Sequence, residues 1–134
     1  MLRRTRQTQT LPLPNEWPSG IGVKTESGHW YINGKFRHKM KGKRIVESWN
    51  LPLVVESTDQ ALTSYIKGKP LGFRDGSLIR DISDGKVYLI AGRMRRLIVE
   101  PEVFEGLGIK RSSAVWVSHD DVLLNSEGEP LKWQ

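Results

Sequence analysis

The chain has 134 residues, no cysteine and a formal charge of +6. The missing cysteines exclude disulfides, thiolate-held zinc and cysteine nucleophiles, and the length fits one ordinary domain or two very small ones. Hydrophobic residues make up 37% with five Trp, enough for a modest core, yet no apolar run approaches the roughly 18 residues of a membrane span.

Residues 1–19 read as an extended basic arm. Arg3, Arg4 and Arg6 precede a Gln/Thr stretch, then Leu11-Pro12-Leu13-Pro14 and Trp17-Pro18. The prolines impose extended backbone, and Leu11, Leu13 and Trp17 are expected to dock on a neighbouring subunit. The N-terminus lacks the apolar core of a signal peptide, so synthesis in a host cytoplasm is expected.

Residues 20–73 read as a first repeat. Its hairpin turns at Asn33-Gly34, after which Lys35, Arg37, Lys39, Lys41 and Lys43 alternate with Phe36, His38, Met40 and Gly42. On a strand, alternation sends these cations to one face, and Arg44 extends the ridge. A row of this kind suits phosphates, or serves as a solvated strand that discourages edge pairing. Ile45 to Leu51 follows as a short helix with Asn50 as its left-handed stop. From Ser57, Thr58 to Leu62 is expected to form a capped turn, and Tyr65-Ile66 a short extended stretch. Phe73-Arg74-Asp75-Gly76 is the joint.

Residues 74–134 carry the clearer copy. Val87 to Ile90 meets Ala91-Gly92-Arg93 and returns as Met94 to Val99, a β-hairpin. Pro101 and Gly108 bracket a short helix. Val115-Trp116-Val117 makes a third strand, and Ser118 caps a turn over Asp120 to Leu124. Gly34 and Gly92 lie 58 residues apart, as do Glu47 and Glu105. Val54 to Asp59 aligns with Val115 to Asp120, Gly68 to Leu71 with Gly128 to Leu131, and Phe73 with Trp133. Matches in constant order mark an internal duplication. The expected fold is therefore α+β: two tandem pseudo-repeats, each a β-hairpin, a short helix and a third short strand, packed as one small body behind the arm.

Charge is polarised: the arm and first repeat carry +7, the second repeat −1. Such asymmetry points to an anionic or acidic partner for the first half. Catalytic signatures are poor. His29, His38 and His119 show no metal-ligand spacing, and His119-Asp120-Asp121 reads better as a capped helix start than as a metal or acid–base site. Glu100, Glu102 and Glu105 sit where a helix N-terminus favours acids. Trp30, Tyr31, Tyr88, Trp116 and Trp133 are expected in the core. No enzyme activity and no cofactor are predicted.

The second repeat reads Tyr88-Leu89-Ile90, Gly92, Arg95 or Arg96 with Ile98, then Val103-Phe104, Leu107-Gly108, Val115 with Val117-Ser118, and Glu127-Gly128 with Pro130-Leu131. This pattern resembles short repeats of bacterial surface and wall-associated proteins and of structural proteins of tailed bacteriophages. The resemblance implies a binding or assembly module without catalytic residues. With no secretion signal and no enzyme domain, the expectation is a virion structural protein at the capsid surface, head–tail joint or tail. Its partners would be other virion proteins, in multiple copies, and no membrane. Two alternatives are a nucleic-acid-binding accessory protein using the Lys35–Lys43 strand and a cell-wall or glycan-binding module.

Overall fold

Two sheets built on one plan account for most of the regular structure. The computed structural model describes residues 17–133, and over them the fold is α+β. The first sheet holds β1 (Gly22–Thr25), β2 (Gly28–Asn33), β3 (Phe36–Met40), β4 (Val54–Glu56) and β5 (Ile66–Lys67), in the order β4-β1-β2-β3-β5. The second holds β6 (Leu78–Asp81), β7 (Val87–Ala91), β8 (Met94–Ile98), β9 (Val115–Val117) and β10 (Ser126–Glu127), in the order β9-β6-β7-β8-β10. Three short helices accompany them: α1 (Lys43–Trp49), α2 (Pro101–Leu107) and α3 (His119–Val122).

The duplication extends to register. The first strand of each sheet runs antiparallel to the second, with Val23 opposite Trp30 and Ile79 opposite Tyr88. It runs parallel to the fourth, with Val23 opposite Val55 and Ile79 opposite Val115. The third runs parallel to the fifth, Phe36 opposite Ile66 and Met94 opposite Ser126. These pairings set the repeat spacing at 56 residues on the first strand, 58 on the hairpin and 60 beyond the helix. The counterpart of Ser118 is thus Thr58 rather than Ser57. Thr58 Oγ1 accepts from the Ala61 amide at 3.1 Å and Ser118 Oγ from the Asp121 amide at 3.2 Å, each tying down one orphan amide of its turn.

Each repeat is richer than a hairpin, a helix and one strand: β1 and β6 each add a strand before the hairpin, and β5 and β10 each add a two-residue strand at the other edge. Gly-Val-Lys-Thr and Leu-Ile-Arg-Asp are too short for period-two alternation to stand out in the sequence. The helix stops are as expected: Asn50 (φ 42°) and Gly108 (φ 72°) are both left-handed, the conformation that ends a helix and frees its last carbonyls for amides beyond.

Two compact units divide the described chain. The first comprises the residues up to Lys39 with Leu51–Lys69; the second comprises Met40–Asn50 with the chain from Pro70 onward. They do not follow the expected boundary at residue 73, because α1 belongs to the second unit. Trp49 Nε1 donates to Gly72 O at 2.8 Å and the Arg74 amide to Ser48 Oγ at 3.3 Å. In the first unit Ile21, Val23, Trp30, Ile32, Leu62 and Tyr65 form the core, with Trp17 and Val55 packed against it. In the second, Val87, Ile98, Val103, Phe104 and Ala114 cluster around α2. Ile79 and Ile90, buried to 1% each, alternate with Leu78 and Leu89 and so lie on the other sheet face. Trp116 and Trp133 depart from expectation: they are 50% and 57% exposed, Trp116 on the edge strand β9.

Candidate functional site

The basic row is broken up by secondary structure. Only Arg37 and Lys39 lie within β3; Lys35 is in the turn before it, Lys41 in the connection after it, and Lys43 and Arg44 on α1. Alternation ends because the strand stops at Met40, so the five cations share no strand face. The two on the strand are engaged. Arg37 and Lys39 each sit 4.8 Å from the Trp30 ring centroid, and Lys39 Nζ donates to Ser27 O. Arg44 pairs with Glu47 at 3.0 Å. The second repeat places Arg95 over Tyr88 at 6.0 Å, the residues matching Arg37 and Trp30. A cation held over an aromatic face in both copies reads as part of the scaffold.

The hydrogen-bond partner of His119 is Asp81. His119 Nδ1 lies 2.7 Å from Oδ2 of Asp81, which is fully buried at the end of β6. The other oxygen of Asp81 accepts from the Ser83 amide at 2.8 Å and the Ser83 hydroxyl at 2.7 Å. Burial opposes the charge on Asp81, but the bonds from His119 and Ser83 outweigh it and hold its carboxyl below the usual value. The carboxylate in turn raises His119 above its ordinary value, against a smaller opposing effect of desolvation. In the first repeat, Thr25 and Asp59 stand at the matching positions. Thr25 Oγ1 donates to Asp59 at 2.5 Å and Ser27 Oγ at 2.7 Å, and these bonds lower the pKa of Asp59. Both pairs clasp the turn after the fourth strand onto the end of the first strand. Among the described residues no group of three or more His, Asp or Glu side chains is placed to hold a metal ion.

Of the arm residues, Arg3, Arg4, Arg6, Leu11 and Leu13 lie outside the described residues. Trp17 stacks on Tyr65 of its own unit, ring centroids 6.1 Å apart, and its amide donates to the Tyr65 hydroxyl at 3.3 Å. Phe73 occupies the corresponding place in the second sheet. Its amide donates to Asn125 Oδ1 at 2.8 Å, and Asn125 Nδ2 donates to Phe73 O at 3.2 Å. Tyr65 and Asn125 are both buried and both immediately precede the fifth strand. The backbone frame matches too: the Gly20 amide donates to Ile32 O at 2.8 Å and the Gly76 amide to Ile90 O at 2.7 Å. Gly20 (φ 95°) and Gly76 (φ 92°) share a conformation open to glycine and strained for other residues. The sequence does carry a signal for this joint, one that the repeat alignment passes over. Pro-x-x-aromatic occurs at Pro14–Trp17, Pro70–Phe73 and Pro130–Trp133.

The outer strands carry apolar side chains into solvent. Leu53 (54% exposed) and Val54 (46%) lie at β4, Val115 (43%) and Trp116 (50%) on β9, and Arg80 covers one face of the Trp116 ring at 4.3 Å. At three residues each, these strands offer little backbone ladder. Their apolar side chains therefore supply what attraction a partner would find.

No family model, curated protein or solved structure matches this chain. Among the described residues no helix is long and apolar enough to cross a membrane.

Proposed function

We propose that this chain is a non-enzymatic structural protein of a tailed-bacteriophage particle, at the capsid surface, head–tail joint or tail, where it binds neighbouring subunits. The observation that carries the reading is the apolar edge of each sheet: Leu53 and Val54 on one, Val115 and Trp116 on the other. Exposed apolar side chains on matching edges of a duplicated unit favour repeated protein contacts. The motif run from Tyr88 to Leu131 supports the same class of module. The nucleic-acid reading loses ground, because its proposed lysine row divides between strand, loops and helix and its central members pack on Trp30.

The test is composition. Particles banded on a density gradient from a lysate producing the chain should contain it in fixed stoichiometry, as measured by quantitative mass spectrometry. A variant with Val54→Lys and Val115→Lys, which puts charge on both edges, should fold yet stay in the free-protein fractions. Recovery of the wild-type chain only in free fractions would overturn the reading.

A further inference from the structure

The fifth strand of each sheet is an outer edge, and over five residues the two copies differ there only in the sign of two charges. Lys67-Gly68-Lys69-Pro70-Leu71 leaves β5 as Glu127-Gly128-Glu129-Pro130-Leu131 leaves β10. The backbone frame is the same. The Gly68 amide donates to Arg37 O at 2.8 Å and the Gly128 amide to Arg95 O at 3.0 Å. His38 Nδ1 lies 2.9 Å from Lys69 O, and Arg96 Nε donates to Glu129 O at 2.8 Å. Backbone groups alternate in direction along a strand, so the Lys67 and Glu127 amides face away from their own sheets. The sign change alters what each edge presents. Arg37 is the register partner of Lys67, and Arg95 that of Glu127. Like charges directly opposite on adjacent strands repel, so the first sheet carries two facing cations where the second has an acid beside Arg95. That acid is not engaged by its neighbour, because Arg95 lies over Tyr88 and donates to Asn125 O. Among the described residues Lys67, Lys69, Glu127 and Glu129, all exposed, enter no ion pair.

We propose that the β5 edge takes the β10 edge of a second copy of this chain, Lys-Gly-Lys facing Glu-Gly-Glu, so that one copy's first sheet continues into the other's second. The inference rests on the assembly reading and names one of its partners. Charge complementarity selects this occupant. With Gly68 opposite Gly128, an antiparallel join sets Lys67 against Glu129 and Lys69 against Glu127; a parallel join sets Lys67 against Glu127 and Lys69 against Glu129. Either gives two opposite-charge contacts, whereas two β5 edges or two β10 edges bring only like charges together. Lysine on an edge ordinarily keeps strands apart; here it keeps like edges apart and leaves the unlike join open. The surrounding charges do not cancel the match. Beside β5, Lys35 is exposed and adds to it, Lys39 is tied to Ser27 O, and residues 27–39 and 60–69 contain no acid; Glu16 lies outside the described residues. Beside β10, Arg96 is tied to Glu129 O and Arg93 lies over Trp49. Lys132 is exposed and opposes the match, one cation against two acids. Apolar surface accompanies the charges: Ile66 and its register partner Phe36 are 54% and 43% exposed on one side, and Met94 beside Ser126 is 41% exposed on the other. The two-residue strands supply a short ladder, so the charges set the specificity. The two surfaces differ, so the join is head-to-tail and propagates unless it closes into a ring.

Charge reversal tests the join. Sedimentation velocity of the full chain, from low micromolar to millimolar concentration, is compared for wild type, Lys67→Glu with Lys69→Glu, Glu127→Lys with Glu129→Lys, and the fourfold variant. Wild type should self-associate, and added salt should weaken the association. Each double reversal alone should weaken it about tenfold or more. An equal mixture of the two reversals should recover it, and so should the fourfold variant, whose net charge equals that of wild type. Val54→Lys with Val115→Lys should leave it intact. If a reversal loses its cooperative melt, disulfide trapping replaces it, since the chain has no cysteine of its own. Lys67→Cys mixed with Glu127→Cys or Glu129→Cys should then yield a mixed dimer well above the level given by Lys67→Cys with Lys86→Cys. A wild type that stays monomeric, a reversal that associates as tightly as wild type, a mixture no tighter than its components, or trapping at the control level would each overturn the proposal. Incorporation into particles alongside any of these failures would leave the virion reading standing, and charge-dependent self-association without incorporation would sink that reading alone.

Discussion

His119 Nδ1 sits 2.7 Å from buried Asp81 at the place where, one repeat earlier, Thr25 donates to Asp59. The acid has moved from the turn to the strand between the two copies, and its partner has changed from a hydroxyl to an imidazole. The clasp is retained, but only the second copy titrates near neutrality.

A pH dependence of the second unit follows from that exchange. The folded pKa of His119 lies above its ordinary 6.5 because of the bond to Asp81. Protonated His119 therefore contributes stability that is fully present below about pH 6.5 and is lost as pH rises through the folded value. Asp81, held below its ordinary 3.8, contributes stability present above that value and lost as pH falls further. The second unit should thus melt highest between these limits and lower at pH 8 than at pH 6. The variant His119→Gln should flatten the slope between pH 6 and 8. A melt tracked by Trp116 fluorescence checks this, and an unchanged slope in the variant would contradict it.

The cations of the first repeat divide into structural and solvated ones. Arg37 and Lys39 lie over Trp30, so Arg37→Ala should destabilise the first unit by about 1–2 kcal/mol through lost cation–π and stem packing. Lys41→Ala, on an exposed connecting residue, should stay within about 0.5 kcal/mol of wild type. Urea unfolding of the two variants separates them. Equal effects would mean that the Trp30 stack contributes nothing.

Local signals make part of this legible in the sequence. The hairpins at Gly34 and Gly92 and the stops at Asn50 and Gly108 depend on neighbouring residues, and the sequence carries them plainly. Relations across tens of residues are not visible there. Nothing near Asp81 in the chain points to His119, and nothing near Trp17 points to Tyr65. The lysine row misleads for a related reason. Alternation carries on through Lys41 and Lys43, but the backbone turns at Gly42, where an added Cβ would collide with the Asp121 carboxylate. The strand itself stops at Met40, and side-chain periodicity carries no mark of that stop.

Asn125 should matter more than its neutral side chain suggests. It accepts from the Phe73 amide and donates to the carbonyls of Phe73 and Arg93, at 2.8, 3.2 and 3.1 Å, while its own carbonyl accepts from Arg95. Asn125→Leu would leave the buried Phe73 backbone groups unpaired and should cost about 2–4 kcal/mol in urea unfolding. Asn125→Asp keeps the acceptor but loses both donated bonds and buries a charge, so it should cost at least as much. A variant as stable as wild type would remove Asn125 from the joint.

Gly72 is small because Asn125 is fixed. An added Cβ at Gly72 would come within 2.5 Å of Asn125 Oδ1 and 2.6 Å of its Cγ, and hydrogen bonds to Phe73 and Arg93 hold that amide in place. The Gly72 carbonyl is held as well, by Trp49 Nε1 at 2.8 Å, so the backbone has little room to retreat. Gly72→Ala should therefore destabilise the second unit by about 2 kcal/mol or more. In an Asn125→Ala background the obstructing amide is gone and most of that penalty should vanish. The double-mutant cycle, read by urea unfolding, then yields a coupling of about 1–2 kcal/mol between two residues distant in the chain. Additive costs would mean that a methyl group at position 72 is resisted by something other than Asn125, and that the joint at Phe73 is looser than its hydrogen bonds imply.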